Sequence, residues 1–405
     1  MRQSTPEKAK AQTARMPELD GLRALAVIFV ICFHSWYFLK YLMPSLEYFI
    51  VFSDSLPWVL GFLRRGDLGV DIFFVLSGYL LSWQLFRKRN ETGHINVPRF
   101  YAHRIFRIYP LYIVALLVAA IDVGITTDML GNLLAYNIWF SPTQIIIPWS
   151  WSLSVELQFY AIVPLLIWFV RGAKTMSVVA TSFAILTVGW IYWILHTHPA
   201  IVSMSFIELM IDGQGDQVNV FYDRIYISMP VRLSQFTFGM AGAWLVLNRP
   251  SIIANVGKLG TSLMALFIIL GATFPLWHNP FTHHAEIDHL IANIELLFGR
   301  VVFAAAISLM IVLMHLDKLP RLKQILSHRL LEPIARFSFS MYLFHPVFIY
   351  VGIWIFIGTG TTETISALEY LSVCSVAIIG SMLFGYITWY MIEQPAIRFG
   401  RKKFG

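Results

Sequence analysis

The sequence predicts an all-α, polytopic membrane protein with about ten transmembrane helices. Of its 405 residues, 57% are hydrophobic and only 13% are charged, whereas a soluble domain carries about 25% charged residues. The mean hydropathy is +0.66. Apolar runs of about 20 residues, the length of a helix that crosses a bilayer, recur along the whole chain. They fall near 19–43, 66–86, 105–125, 149–170, 175–195, 226–247, 259–277, 296–316, 334–357 and 367–391.

The segments between these runs predict one membrane domain at 19–393, between a cytoplasmic tail at 1–18 and a basic tail at 394–405 that anchors at the interface. The first tail is polar and basic and does not resemble a cleavable signal peptide. Two further segments, 48–62 and 128–147, are apolar but interrupted by Pro, Asp or Asn, which predicts interfacial or re-entrant pieces. Cys32 and Cys374 both fall in apolar runs, so a structural disulfide is not expected.

The distribution of lysine and arginine predicts that both termini lie in the cytoplasm. Most of the 30 basic residues fall on one side of the membrane when the N-terminus is placed inside, as the positive-inside rule requires. These orientation signals also account for the net charge of +7, so no nucleic-acid partner is expected. The orientation places Arg23 near the cytoplasmic end of the first run and His34 in its outer half.

Arg23 and His34 are the most informative residues, because charged and imidazole side chains inside a membrane segment usually have a function. Ten residues separate them, which on an α-helix places both on one face, roughly 16 Å apart along the axis. The alternative is a snorkelling arginine and a histidine that only stabilises the bundle.

Arg104 and Arg107 lie three residues apart at the cytoplasmic start of the third run, so they share a helix face. Two adjacent guanidinium groups suit a phosphate, which indicates a site for a polyanion such as a nucleotide. The alternative is a basic patch that contacts lipid headgroups.

Helical spacing also groups polar residues on the fourth run. Trp149, Ser152, Glu156 and Tyr160 lie on one face. We expect Glu156 to lie at a depth similar to that of His34 and to pair with a cation or an imidazolium, because an unpaired buried carboxylate is costly. A purely structural Glu–Arg or Glu–His pair is the alternative.

Two further runs carry polar residues that sequence spacing explains mainly by packing. Asp71, Ser77 and Gly78 lie in the second run, where Asp71 needs a cationic partner and Arg64 and Arg65 are the nearest in sequence. In the ninth run, Ser338, Tyr342 and His345 share a face. Pro346 frees a carbonyl one turn earlier, which a histidine or serine can satisfy.

An outer loop is rich in histidine and acidic residues, but no ligand set with defined spacing emerges, so an ordinary solvated loop is expected and no metal site is assigned. These residues are His278, His283, His284, Glu286, Asp288 and His289.

Five of these features together resemble the acyltransferase 3 family of membrane acyltransferases, and the resemblance covers nearly the whole chain. Each motif alone is weak, whereas their order on a ten-run scaffold is specific. The motifs are R-x10-H at Arg23 and His34, FFVLSGYL at 73–80, R-x-x-R at Arg104 and Arg107, WSLSVELQFY at 151–160, and FSFSMYLFHP at 337–346.

The resemblance implies a multi-pass enzyme of the bacterial cytoplasmic (inner) membrane that moves an acyl group, usually acetyl from acetyl-CoA. The acceptor would be a hydroxyl of a cell-surface polysaccharide such as O-antigen or exopolysaccharide. No permanently bound cofactor is implied, since acyl-CoA is the donor. The resemblance matches His34 to the family's essential histidine, Glu156 to the acidic residue of its span, and Arg23, Arg104 and Arg107 to arginines on the CoA side. We therefore predict that His34 and Glu156 are catalytic and that the three arginines bind CoA. The helical spacing predicts structural or substrate-orienting roles for Asp71, Ser77, Tyr160 and His345.

The resulting hypothesis joins both sides of the membrane. Acyl-CoA docks from the cytoplasm, and His34 acts as general base or briefly accepts the acyl group. Glu156 is expected to orient its imidazole. Some relatives carry a C-terminal SGNH-type domain, so here either the membrane core performs the whole reaction or a separate periplasmic partner completes it.

Two other functions remain open from the residues. A proton-coupled transporter could use Asp71, Glu156 and His34 as a relay, although no internal repeat is seen. An acyltransferase of the same kind could act on a small molecule such as a macrolide or a lipid.

Overall fold

The computed structural model describes residues 16–124, 126–140, 145–276 and 289–404, and every regular element within these ranges is helical. The predicted all-α fold is therefore confirmed. Its ten longest helices coincide with the ten predicted apolar runs. They are α1 (Pro17–Phe38), α2 (Leu68–Thr92), α3 (Val97–Val123), α4 (Trp151–Phe169), α5 (Ala173–Thr197), α6 (Met229–Asn248), α7 (Lys258–Thr273), α8 (His289–His315), α9 (Leu331–Phe356) and α10 (Ala367–Thr388).

Nine of these helices in the described part of the chain, all except α6, are long and apolar enough to cross a membrane. The chain is thus a multi-pass membrane protein. Helix α6 has the length of a span but is less apolar, since Arg232, Ser234, Gln235 and Thr237 are all buried on it. Polar groups inside a membrane protein must find partners within the bundle, and those of α6 do so.

Short helices connect the long ones. The segment 128–147 contains Asp128–Leu133 and Asn137–Phe140, and the hydroxyls of Tyr109 and Tyr112 at the centre of α3 donate to the carbonyls of Leu133 and Asn132, both at 3.1 Å. This part of the segment therefore folds back along α3, as a re-entrant piece does. The other short helices are Leu39–Leu42, Leu46–Ser55, Trp58–Arg65, Pro148–Ser150, Ala200–Ser203, Phe206–Ile211, Gly215–Val220, Phe221–Tyr226, Pro250–Ala254, Phe274–Leu276, Pro320–Leu326, Trp389–Glu393 and Gln394–Phe404.

Helix α1 lies inside the bundle and packs against α2, α9 and α10, while α6 packs against α2, α5 and α8. The α2–α6 crossing depends on two glycines. A Cβ atom at Gly78 would lie 2.1 Å from the carbonyl oxygen of Phe236, and one at Gly239 would lie 2.1 Å from that of Val75. Small residues permit such close backbone approach, so Gly78 belongs to a packing seam.

The C-terminal helix Gln394–Phe404 packs on the start of α3, where the Phe106 ring lies 5.4 Å from that of Phe399 and 5.9 Å from that of Phe404. Cys32 and Cys374 are buried free thiols, as predicted. The loop histidines and acidic residues at 278–288 lie outside the described residues, as does the side chain of His289. The domain boundaries at 18 and 393 stay predictions.

Candidate active site

Glu156 is the centre of a polar cluster formed by α2 and α4. Its Oε1 accepts a 2.6 Å hydrogen bond from the hydroxyl of Tyr160, one turn further along α4. The same oxygen accepts a hydrogen bond from the hydroxyl of Ser77 on α2. Ser77 and Tyr160 are thus held by one carboxylate, and the cluster fixes the rotation of α4 against α2.

Three arginines surround this carboxylate. Arg23 on α1 interacts electrostatically with Arg107 and with Asp20 and Glu156. Arg104 on α3 interacts with Tyr160, Arg107 and Glu156. Helices α1 and α3 therefore bring the R-x10-H arginine and the R-x-x-R pair to one place, although they lie about 80 residues apart in the chain.

Carboxylates act on each of these arginines: Asp20 and Glu156 on Arg23, Glu156 on Arg104, and Glu393 on Arg107. Even so, neither Arg104 nor Arg107 forms an ion pair within the described parts of the chain, and the Nε atom of Arg104 is buried without a hydrogen-bond partner there. Guanidinium groups that are not paired with a protein carboxylate suit an anionic ligand, because planar N–H forks match phosphate oxygens.

A cavity of about 270 Å³ lies between α3 and α4 beside these arginines. Arg104 and Tyr160 line it, together with Tyr101, Ile105, Tyr109, Leu134, Ala135, Leu157, Gln158 and Ala161. One wall is the re-entrant piece, where the non-glycine residue Ala135 adopts a left-handed backbone conformation with φ of 61°. Gln158 stabilises this turn, because its side-chain amide donates a 2.7 Å hydrogen bond to the Ala135 carbonyl.

His34 lies apart from this cluster, further along α1. Its Nδ1 lies 3.0 Å from the carbonyl oxygen of Val30. A carbonyl can only accept, so Nδ1 carries the proton and Nε2 carries the lone pair. The imidazole is half-buried. The hydrogen bond to Val30 holds it in the tautomer that can act as a base or a nucleophile at Nε2.

The expected hydrogen bond between Glu156 and His34 is absent from the described part of the structure, so this expectation is wrong. Glu156 instead faces the arginines and bonds to Ser77 and Tyr160. The carboxylate that acts electrostatically on His34 is Asp67, immediately before α2. Helical spacing located Glu156 on the correct face but not at the depth of His34.

His345 is the immediate neighbour of His34. Their ring centroids lie 4.8 Å apart, and His345 is completely buried. Its Nδ1 lies 2.8 Å from the carbonyl oxygen of Tyr342, which Pro346 leaves without its usual helix donor because proline has no N–H. The sequence prediction that a histidine satisfies this carbonyl is confirmed.

Asp71 belongs to a third group on the opposite side of α2. The expected need for a cationic partner is confirmed, but the partners are not Arg64 and Arg65, the nearest cations in sequence. Instead Asp71 accepts hydrogen bonds of 2.8 Å from both Arg232 and Gln235 of α6. It also forms an ion pair with Arg300 of α8.

This buried ionic network extends to the start of α2, where Asp67 forms a 2.8 Å ion pair with Arg300 and one of 3.2 Å with Arg65. Sequence reasoning missed Asp67, Arg232, Gln235 and Arg300. The signal was present, since Arg232 and Arg300 fall inside predicted spans, where a cation calls for a buried counter-charge.

Comparison with known proteins decides the family. A family model described as an acyltransferase domain, that of acyltransferase 3, matches residues 16–386. The chain belongs to the acyltransferase 3 family. The match covers all ten long helices except the last residues of α10. It does not support the alternative that the protein is a transporter.

The curated relatives of this acyltransferase 3 chain are longer than the part they share with it. "Putative O-acetyltransferase" of Staphylococcus aureus strain MSSA476 is 25% identical over 285 residues, which is 63% of this chain and 41% of the relative. O-acetyltransferase OatA of S. aureus strain COL is 24% identical over 421 aligned positions, 96% of this chain and 58% of the relative. The chain thus spans about half the length of the curated relatives it matches. No solved structure matches it significantly.

Within this acyltransferase 3 chain the site has two parts. One is a charged cluster beside a cavity, formed by Arg23, Arg104, Arg107 and Glu156. The other is a pair of imidazoles, His34 and His345, each with Nδ1 held by a backbone carbonyl. An anion can bind at the first part, and proton or acyl transfer can occur at the second.

Proposed function

We propose that the chain is an integral-membrane O-acyltransferase that takes acetyl from acetyl-CoA on the cytoplasmic side. The acetyl group goes to a hydroxyl of a cell-surface glycan on the outer side of the bacterial cytoplasmic membrane. The observation that carries this proposal is that Arg104 and Arg107 of α3 share one polar cluster with Arg23 and Glu156, and that Arg23 lies on the helix that also bears His34. The names of the relatives as O-acetyltransferases support the acyl group and the oxygen acceptor.

The arginine cluster would bind the phosphates of the donor. Arg104 and Arg107 have no ion-pair partner among the described residues, and bidentate contacts between guanidinium and phosphate are among the strongest hydrogen bonds in proteins. Arg23 adds a third cation. The pantetheine arm would then cover the roughly 16 Å along α1 between Arg23 and His34.

Glu156 would organise the arginine cluster that binds acetyl-CoA. Its carboxylate offsets part of the positive charge of Arg23 and Arg104 and holds the hydroxyls of Ser77 and Tyr160 in place. Without this carboxylate, three cations would face one another in a low-dielectric environment, where their repulsion is strong. Glu156 would therefore keep the phosphate-binding geometry intact before the donor arrives.

His34 would act on the reacting carbonyl. Its Nε2 lone pair is available because Val30 holds the proton on Nδ1, and an imidazole in this state can abstract the acceptor proton or attack the thioester. The charge of Asp67, which is itself paired with Arg65 and Arg300, would offset only part of the cost of burying the cation that either step creates. This is the role that the sequence had assigned to Glu156.

The test uses purified protein and membranes that contain it, with radiolabelled acetyl-CoA. We expect the protein to bind acetyl-CoA and the membranes to transfer label to glycan, and we expect His34→Ala to abolish transfer without abolishing binding. Undiminished labelling of the acceptor by His34→Ala would refute the role of the histidine. Transfer that needs a second protein on the outer side would show that a separate partner completes the reaction.

A further inference from the structure

The two imidazoles beside each other share an unusual property, because the structure fixes the same tautomer in both. His34 donates from Nδ1 to Val30, and His345 donates from Nδ1 to Tyr342. Each ring therefore carries its lone pair on Nε2, and the ring centroids lie only 4.8 Å apart. Two acceptor nitrogens cannot hydrogen-bond to each other, so neither ring supplies a donor to the Nε2 atom of its neighbour.

The Nε2 atom of His345 is an unsatisfied hydrogen-bond acceptor inside the described part of the protein. It is buried and has no hydrogen-bond partner among the described residues, and a polar atom in that condition destabilises the fold unless a ligand or water satisfies it. The site around it is rigid. Trp149 packs edge-on against the His345 ring at 5.9 Å and donates a 2.9 Å hydrogen bond to the carbonyl of Leu343.

Tyr342, which lies on α9 like His345, also helps to fix the surroundings of the His345 ring. Its hydroxyl lies 2.6 Å from that of Ser152 on α4 and also donates to the carbonyl of Trp149. The same residue supplies the backbone carbonyl that holds Nδ1 of His345. The ring of His345 therefore cannot turn Nε2 toward another protein group without breaking these contacts.

We propose that His345 is the general base for the acceptor hydroxyl, while His34 carries the acyl group. This division of labour rests on the proposed function and specifies how its histidine site works. One imidazole cannot do both at once, because an acylated Nε2 has no lone pair left to take a proton. A second imidazole in contact, with its own lone pair fixed, supplies the missing base.

The two steps balance. In the first, the Nε2 lone pair of His34 attacks the thioester carbon, a C–N bond forms, the C–S bond breaks, and the CoA thiolate leaves with the electron pair. In the second, the acceptor hydroxyl gives its proton to Nε2 of His345 while its oxygen bonds to the acyl carbon. The C–N bond then breaks and returns its electron pair to His34. The proton on His345 neutralises the thiolate, so the products are the ester and CoA thiol.

The decisive experiment compares two variants that keep the backbone contacts. An asparagine amide can replace Nδ1–H as a donor to the same carbonyl, so His34→Asn and His345→Asn keep this contact while they lose Nε2 and the outer part of the ring. Each is mixed with radiolabelled acetyl-CoA in membrane vesicles from cells that make the protein, and label on the protein and on the glycan is counted. Purified variants are checked for acetyl-CoA binding, which reports that the fold is intact.

We expect His345→Asn to retain label on the peptide that contains His34, at least tenfold above wild type. Its transfer to glycan should fall about 100-fold or more, the size of a general-base contribution. His34→Asn and the double variant should carry no label. The control Ser340→Ala removes a buried 2.7 Å hydrogen bond to Thr388 on the other face of α9 and should behave as wild type.

Other outcomes overturn the inference in distinguishable ways. A folded His345→Asn that carries no label, or that transfers at the wild-type rate, refutes the division of labour and leaves the proposed function standing. A His34→Asn variant that transfers normally refutes the role of His34 as acyl carrier, whereas wild-type membranes that transfer no label to glycan refute the proposed function itself. If His345→Asn fails to bind acetyl-CoA, the same measurements on His345→Gln decide the question, since its longer amide leaves the ring volume largely filled.

Discussion

Tyr160 donates a 2.6 Å hydrogen bond to Glu156, its neighbour one turn earlier on α4. The relationship matters because Tyr160 also faces Arg104 across the α3–α4 cavity. The hydroxyl thus links the carboxylate at the centre of the site to a guanidinium group that has no ion-pair partner among the described residues. A substitution at Tyr160 should therefore affect acetyl-CoA, although it removes no charged side chain from the site.

Replacing Tyr160 by phenylalanine should lower kcat/KM for acetyl-CoA about tenfold, because a hydrogen bond to a charged group contributes about 1.5 kcal/mol or more. The matched control is Tyr101→Phe. Tyr101 lines the same cavity, but its hydroxyl donates to the carbonyl of Ala161 at 2.9 Å. Equal losses in both variants would show that cavity packing, rather than the link to Glu156, is responsible.

The arginine pair should decide donor affinity. Arg104→Ala and Arg107→Ala should each weaken acetyl-CoA binding about 10- to 100-fold, the loss of one charge-assisted contact, and lysine should restore only part of it because it lacks the planar fork. Binding is measured by calorimetry on purified protein. Arg336→Ala is the control, since Arg336 forms an ion pair with Glu332, one turn earlier on its own helix. An equal loss for Arg336→Ala would argue for a diffuse charge effect.

The buried ionic network should contribute stability rather than chemistry. Asp71→Ala leaves Arg232 and Arg300 without one counter-charge, and removal of one member of a buried pair costs about 3–5 kcal/mol. Arg64 is one of the two cations nearest to Asp71 in sequence, and Arg64→Ala should cost less, about 1–2 kcal/mol, because Arg64 meets the exposed Asp54 at 3.6 Å and donates to the Ser53 carbonyl at 2.9 Å. Thermal unfolding in detergent checks both, and similar losses would contradict the pairing with α6 and α8.

The α2–α6 seam gives a second stability test. Gly78→Ala places a Cβ against the Phe236 carbonyl at 2.1 Å, and such overpacking costs about 1–3 kcal/mol. At Gly189 on α5 no heavy atom lies within 4 Å of the added Cβ, so Gly189→Ala should be neutral or stabilising by up to about 1 kcal/mol. The difference in melting temperature between the two variants measures the contact.

Contacts between residues close together in the chain could be predicted from the sequence, whereas contacts between distant residues could not. The bond from His345 to Tyr342 was predictable because both residues and Pro346 lie within about one helix turn. The partners of Asp71 were not, because Arg232 and Arg300 lie 161 and 229 positions away. Their approach depends on which faces α6 and α8 turn toward α2.

Glu156 shows the same limit within the candidate site. Its helix face was readable from the 3.6-residue period, and so was its need for polar partners. The vertical placement of α4 against α1 was not, because no local signal sets how far one helix slides along another. As a result, Glu156 bonds to Ser77 and acts on the arginines, and the carboxylate whose charge acts on His34 is Asp67.

The most direct test of the central claim is acetyl transfer by His34→Asn in membranes supplied with labelled acetyl-CoA, beside a binding measurement on the purified variant. The amide keeps the contact to Val30 and removes Nε2. We predict that transfer to the acceptor falls at least about 100-fold while acetyl-CoA binding stays within a factor of about two. Transfer at the wild-type rate, with binding intact, would contradict a catalytic role for this histidine.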